Sequence, residues 1–426
     1  MLRQQPSTTV SSLPRYNLRV SLVTPSTVPK TELVIPASNL LRSKMPELDT
    51  IRGVAVLLVL FFHGFGFRYG LQGLSRLPRL FLMATLPGWT GVNLFFVLSG
   101  FLITGILLDT KFKTNYYRSF YVRRALRILP LYYGVLVLLA VLTRAGWVNR
   151  QASWAFLGLS FFYLSNVTTL FGVAMQYGVL WSLAVEEHFY LLWPAAVRSL
   201  SRHWVIVVGA IICLLCPCLR AFYFIRGYST GTGYTWLVAD GLATGAVLAA
   251  LARGPWGSRD RMWRLTTIFF GASLTMFVAG YPLGIFRASR LLGMTLRETG
   301  LDLFFAGVVA LALLLGTSRW GWLVNRPVLR FFGEISYGLY LIHMLVFDLE
   351  DYLVGRLFPN LAVSGHFAIM VLLFSIALGF TVTVAYVSRW YFEEPFLRMK
   401  GRFEGNSTQS LATSESDDSA KSNFPH

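Results

Sequence analysis

Between residues 46 and 399 the chain alternates long apolar runs with short clusters of Lys, Arg, Gly and Pro. An α-helix rises 1.5 Å per residue, so about 17 to 25 apolar residues cross roughly 30 Å of hydrocarbon. By that measure the pattern predicts about ten membrane helices. The first four cover Ile51–Phe67, Trp89–Leu108, Ile128–Thr143 and Leu180–Val197. The next three cover Trp204–Phe224, Trp236–Leu251 and Leu265–Ile285, and the last three Gly300–Gly316, Phe332–Asp348 and Phe367–Ser388. One further apolar stretch, Trp154–Phe171, is expected to be re-entrant or interfacial, because a full crossing there would put the basic residues after it on the wrong side.

The expected fold is an all-α polytopic membrane domain over residues 46–399, embedded in a plasma or inner membrane with both termini cytoplasmic. Before it comes a cytoplasmic arm, residues 1–45, rich in Ser, Thr, Pro and Val and largely disordered. The arm lacks the apolar core of a signal peptide, so the first membrane helix directs insertion. After the domain, residues 400–426 form a Ser-, Asn- and Asp-rich tail that is also expected to be disordered.

Composition supports a lipid solvent. Of 426 residues, 55% are hydrophobic and 14% charged, and the 12 Trp and 19 Tyr suit two lipid–water interfaces. The formal charge of +18 does not point to nucleic acid, because the basic residues sit in short clusters between apolar runs. With the N-terminus inside, about 27 of the 38 Lys and Arg fall on the inner side and about 11 on the outer. The crowd of Lys111, Lys113, Arg118, Arg123, Arg124 and Arg127 between the second and third helices fixes that orientation most firmly. Cys213, Cys216 and Cys218 lie together in one apolar run, where a thiolate is disfavoured. No second Cys or His cluster accompanies them, so no metal site is expected.

An ionisable group in hydrocarbon costs several kcal/mol unless it faces the bundle interior or a wet cavity, which makes each one a site candidate. Arg52 and His63 are eleven residues apart on the first helix, about 1,100° of rotation and roughly 16 Å of rise, so they share a face. An interfacial anchor and a hydrogen-bonded core histidine would give the same pair. On the fourth helix Trp181 is followed by Glu186, Glu187, His188 and Tyr190, with Glu186 and Tyr190 on one face. At matched depth, His63 and Glu186 can form a base and its orienting carboxylate, with holding the acceptor as the alternative role for Glu186.

Arg123, Arg124 and Arg127 precede Pro130 at the expected start of the third helix, where free N–H groups and guanidinium forks together make a phosphate site. Basic residues at inner helix ends also serve topology alone. Ser336, Tyr340, His343 and Phe347 recur at i, i+4, i+7 and i+11 and draw a partly polar stripe on the ninth helix. Asn93 and Ser99 add uncharged donors on the second helix, where Gly91, Gly100 and Gly105 permit close packing.

Five stretches in order resemble the acyltransferase 3 family of integral membrane acyltransferases. They are Leu48 to Gly53 followed by His63, Gly91 to Leu102, Arg123 to Pro130, Trp181 to Glu187, and Ser336 to His343 with Tyr337 inside the last. Asn93 stands where many relatives have Asp, and Leu345 near where many have Pro. The resemblance implies an acyl-CoA co-substrate, usually acetyl-CoA, with no permanently bound cofactor. It also implies an acceptor hydroxyl or amine on a carbohydrate, glycolipid or other small molecule. In that chemistry His63 and Glu186 are the expected catalytic pair and Arg52, Arg123, Arg124 and Arg127 the donor-binding set. Asn93, Ser99, Trp181, Tyr190, Ser336, Tyr337, Tyr340 and His343 are expected to line the acceptor cavity. The rival class is a transporter of a lipid-linked sugar or small anion, which would need the same embedded charges but a sealed compartment to act.

Overall fold

The computed structural model describes residues 40–148, 151–228, 233–359 and 366–399. The expected tail lies outside the described residues, as does the expected arm up to residue 39. Every regular element among the described residues is helical. Seven helical segments are long and apolar enough to cross a membrane: Pro46–Gly66, Arg76–Asp109, Tyr116–Ala145, Arg202–Ile225, Arg259–Gly280, Arg297–Gly316 and Phe367–Arg398. The remaining three expected spans are also helical but differ in kind. Leu180–Ser199 (α6) and Ser336–Leu357 (α15) are interrupted by charged residues, and Asp240–Ala252 (α9) has only 13 residues.

Helix α1, Pro46–Phe61, contributes to two apolar cores. Its Val56, Val59 and Leu60 pack with residues of α4 (Tyr116–Ala145), α15 and α16 (Phe367–Val387). Its Leu48, Ile51 and Ala55 pack with α3 (Gly91–Asp109), α9, α10 (Arg259–Gly280) and α12 (Arg297–Gly316). A residue on α1 therefore reaches several helices, as a site built by convergence requires. Leu192, Leu214, Val137 and Phe380 are exposed within their helices, the placement expected of lipid-facing side chains.

Close approach of α3 and α9 depends on two glycines. A Cβ on Gly100 would lie 1.9 Å from the carbonyl oxygen of Leu242, and one on Gly245 would lie 1.9 Å from that of Val97. Only hydrogen fits at either place, which is how small residues bring membrane helices together without a hydrophobic driving force.

One expectation changes. Helix α4 does not begin near Ile128 but at Tyr116, so Arg123, Arg124 and Arg127 lie two to three turns inside it and not at a free N-terminus. The reason is local: residues 116–127 contain no Gly or Pro, and Tyr116 and Phe120 bury themselves as helical neighbours at i and i+4. The stretch Trp154–Phe171 is a short helix, α5 (Trp154–Phe161), followed by a 3₁₀ turn, Ser165–Phe171. Neither part is long enough to cross hydrocarbon, in keeping with a segment that does not span.

Candidate active site

A cavity of about 90 Å³ lies among α1, α3, α4, α6 and α15. Arg52 comes to it from α1, Ser99 from α3, and Arg124 and Arg127 from α4. Helix α6 supplies Ser182, Glu186, Glu187 and Tyr190, and α15 supplies Ser336, Tyr337 and Tyr340. Phe95, Phe96, Leu102 and Leu183 make the apolar remainder of the wall. Spacings of three and four on each helix put these residues on one face, so five separated stretches of sequence meet at one place.

Within the cavity Glu186 is held on both oxygens. Ser99 Oγ donates to Oε1 at 3.2 Å and Tyr190 Oη to Oε2 at 2.8 Å. Arg124 stacks over the Tyr190 ring, 4.9 Å from its centre, and Arg52 donates to Asp49 at 2.7 Å. Among the described residues none accepts a hydrogen bond from the guanidinium groups of Arg124 or Arg127. Their N–H donors are thus available to an anion entering the cavity, and a planar fork suits phosphate oxygens. On the far wall Ser182 Oγ and Tyr340 Oη are 2.5 Å apart, and Tyr337 Oη donates to the carbonyl of Ile128 at 2.9 Å.

His63 stands on a π-helical turn, Phe62–Gly66, that continues α1. Such turns often mark functional sites, because the extra residue re-aims a side chain. His63 Nδ1 is 3.1 Å from Nε2 of His343, and His343 Nδ1 is 3.1 Å from the carbonyl oxygen of Leu339. The Tyr340 ring centre is 5.9 Å from that of His343, so the histidine pair sits behind the Tyr340 wall of the cavity. In the structure Glu186 accepts from Ser99 and Tyr190, while His63 contacts His343. Matched depth fixed only the height of the two residues, whereas the packing of α1 on α15 decides which groups touch.

Three further expected residues take other positions. Arg123 Nε donates to the Ser119 carbonyl at 3.0 Å, and its side chain is not among those lining the cavity. Trp181 packs edge-on to Phe96 at 5.9 Å. Asn93 is six residues from Ser99, about 600° of rotation, and so meets a different neighbour. Its Nδ2 donates to Asp302 at 3.0 Å and to Glu298 at 3.1 Å.

That second polar centre is one the sequence reading passes over, although Arg220, Asp240 and Asp302 are ionisable groups in apolar runs and obey the same rule. Arg220 donates to both oxygens of Asp240, at 3.0 and 2.7 Å, and to Thr299 at 2.6 Å. Asp240 and Asp302 are each 1% exposed, which makes this a buried ion-pair network tying α7 (Arg202–Ile225), α9 and α12 together. Glu187, which the sequence pattern sets beside Glu186, is the other cavity carboxylate.

The acyltransferase 3 family, described as an acyltransferase domain, matches residues 45–390. The chain belongs to this family. Its matched region carries several helices long and apolar enough to cross a membrane. Peptidoglycan O-acetyltransferase OatA of Listeria monocytogenes is 34% identical over 170 residues, which are 36% of this chain and 24% of the relative. The putative peptidoglycan O-acetyltransferase YrhL of Bacillus subtilis is 34% identical over 168 residues, 35% of this chain and 23% of the relative. The chain matches about a quarter of the length of these curated relatives. Nodulation protein 10 of Rhizobium leguminosarum bv. viciae is 26% identical over 327 residues, 70% of this chain and 82% of the relative. No solved structure matches.

Proposed function

We propose that this acyltransferase moves an acetyl group from acetyl-CoA to a hydroxyl, or an amine, of a carbohydrate, glycolipid or other small acceptor, with the donor held at the cytoplasmic side. The observation that carries this reading is the pair of arginines, Arg124 and Arg127, whose donors face a cavity shared with Glu186. The coenzyme body remains outside, its phosphates on the guanidinium forks, while the thioester end enters. Relatives named as peptidoglycan O-acetyltransferases support a hydroxyl on a cell-envelope glycan as the acceptor. In this reading about ten helices cross the membrane and both termini are cytoplasmic, which puts the Arg52 end of α1 inside.

His63 takes the acceptor proton as the acceptor oxygen attacks the thioester carbonyl. The carbon–sulfur bond then breaks, and the imidazolium returns the proton to the departing thiolate. Arg52 lines the path between the phosphate site and the histidine, and Tyr340, between cavity and histidine pair, is the point where donor and acceptor meet.

The test uses purified protein in detergent with labelled acetyl-CoA and a glycan extract. Label should appear on an acceptor, and His63→Ala should lower that transfer by about 10²-fold or more with membrane insertion intact. Near wild-type transfer by that variant removes His63 from the mechanism. Labelling of no acceptor by the parent protein overturns acetyl transfer itself.

A further inference from the structure

We propose that His343 is a positioning residue that fixes the tautomer of His63, so that Nε2 of His63 is the atom that receives the acceptor proton. This rests on the reading of His63 as the base and adds which of its nitrogens acts and why.

The argument runs from the carbonyl outward. A carbonyl oxygen only accepts, so the 3.1 Å contact between His343 Nδ1 and the Leu339 oxygen places a hydrogen on Nδ1. In a neutral imidazole the other nitrogen then carries a lone pair. His343 Nε2 is therefore an acceptor, and the 3.1 Å contact to His63 Nδ1 is an N–H···N hydrogen bond donated by His63. With its hydrogen on Nδ1, neutral His63 has an unprotonated Nε2.

Neutrality of His343 follows from its surroundings. The residue is 0% exposed, and its two ring nitrogens contact a carbonyl and another histidine, neither of which is an anion. An imidazolium there would be a buried charge without a counter-ion. Rings shield the pair: Phe62 and Phe67 lie 5.1 and 5.8 Å from His63, and Phe347 lies 5.7 Å from His343.

The fold builds this contact deliberately. The π turn Phe62–Gly66 offsets His63 from the straight path of α1. Gly64 in the same turn leaves room for Phe374, whose ring would meet a Cβ at 2.3 Å. Beyond the turn, Arg68 pairs with Glu350 at 2.9 Å and with Asp351, which clamps the end of the turn to α15 two turns past His343. As imidazolium during transfer, His63 still donates from Nδ1 to His343, so the same bond orients both states of the base.

The experiment is nitrogen NMR of the full-length protein with labelled histidine, with signals assigned by His63→Asn and His343→Asn. The expected spectrum has His63 protonated at Nδ1 and His343 also at Nδ1. A hydrogen on His63 Nε2 in the neutral state overturns the proposal. Kinetics supply a second arm. His343→Gln keeps an oxygen able to accept from His63 Nδ1 and should retain turnover within about tenfold, whereas His343→Phe should lose about 10²-fold or more in kcat with donor KM unchanged. Equal loss in both variants, with both still folded, overturns the positioning role. If His63→Ala keeps its turnover, the base assignment fails, and the spectrum still reports the tautomer independently.

Discussion

Glu186 and Tyr190 are joined by a 2.8 Å hydrogen bond from phenol to carboxylate, one turn apart on α6, with the Arg124 guanidinium on the open face of the tyrosine ring. Carboxylate, phenol and cation thus form one unit on the cavity wall. A change in any member alters how the other two are held.

Replacing Glu186 by Gln keeps the volume but removes the charge that accepts from Ser99 and Tyr190. Hydrogen bonds to a charged group contribute about 1.5 to 3 kcal/mol each, so acetyl transfer should fall by at least about tenfold. Transfer assays on Glu186→Gln and Glu187→Gln side by side check this. Greater sensitivity at Glu187 would transfer the role to that carboxylate.

Substituting Arg124 or Arg127 by Lys preserves charge and topology but removes the planar fork. Donor affinity should weaken by about ten- to a hundredfold, read as apparent KM for acetyl-CoA, while a reporter fusion shows the loop unmoved. Unchanged KM in both variants would return these residues to a topological role.

Removing one partner of the Arg220–Asp240 pair leaves a buried charge uncompensated. Asp240→Leu should destabilise by about 3 to 5 kcal/mol, and the double variant Arg220→Met, Asp240→Leu should recover much of that loss. Thermal unfolding in detergent measures both. A double variant no more stable than the single one would mean that Arg220 is neutralised by another group.

Gly100→Ala should prevent proper assembly of α3 on α9, because the added carbon meets the Leu242 carbonyl at 1.9 Å. Gly134→Ala on α4 is the control, since its Cβ would touch the Phe392 ring at an ordinary 3.7 Å and alanine is the better helix former by about 1 kcal/mol. Expression of monodisperse protein should fall for the first and hold for the second.

Much of the fold was legible because hydrophobic run length is set by bilayer thickness, as in runs such as Trp204–Phe224 and Gly300–Gly316. Boundaries were less so where aromatic and basic residues extend a helix past its apolar part, as in α4. The cavity residues Arg52, Ser99, Arg124, Arg127, Glu186, Tyr190, Ser336, Tyr337 and Tyr340 were found because a polar group in an apolar run stands out. Partners were not, because periodicity gives the face of a helix but not the helix it faces. That is why His63 meets His343 and why Asn93 belongs with Asp302.

The length of α4 has a bearing on the surrounding lipid. Its 30 residues extend about 45 Å, while its apolar part, from Ile128 onward, already suffices for most of the hydrocarbon. The turns that carry Arg124 and Arg127 then stand at the level of the lipid headgroups. There, anionic phospholipids present the same oxygens as the coenzyme to the same two side chains. With acetyl-CoA as the proposed donor, its affinity would become a competition set by headgroup composition, and apparent KM should differ between neutral and acidic bilayers.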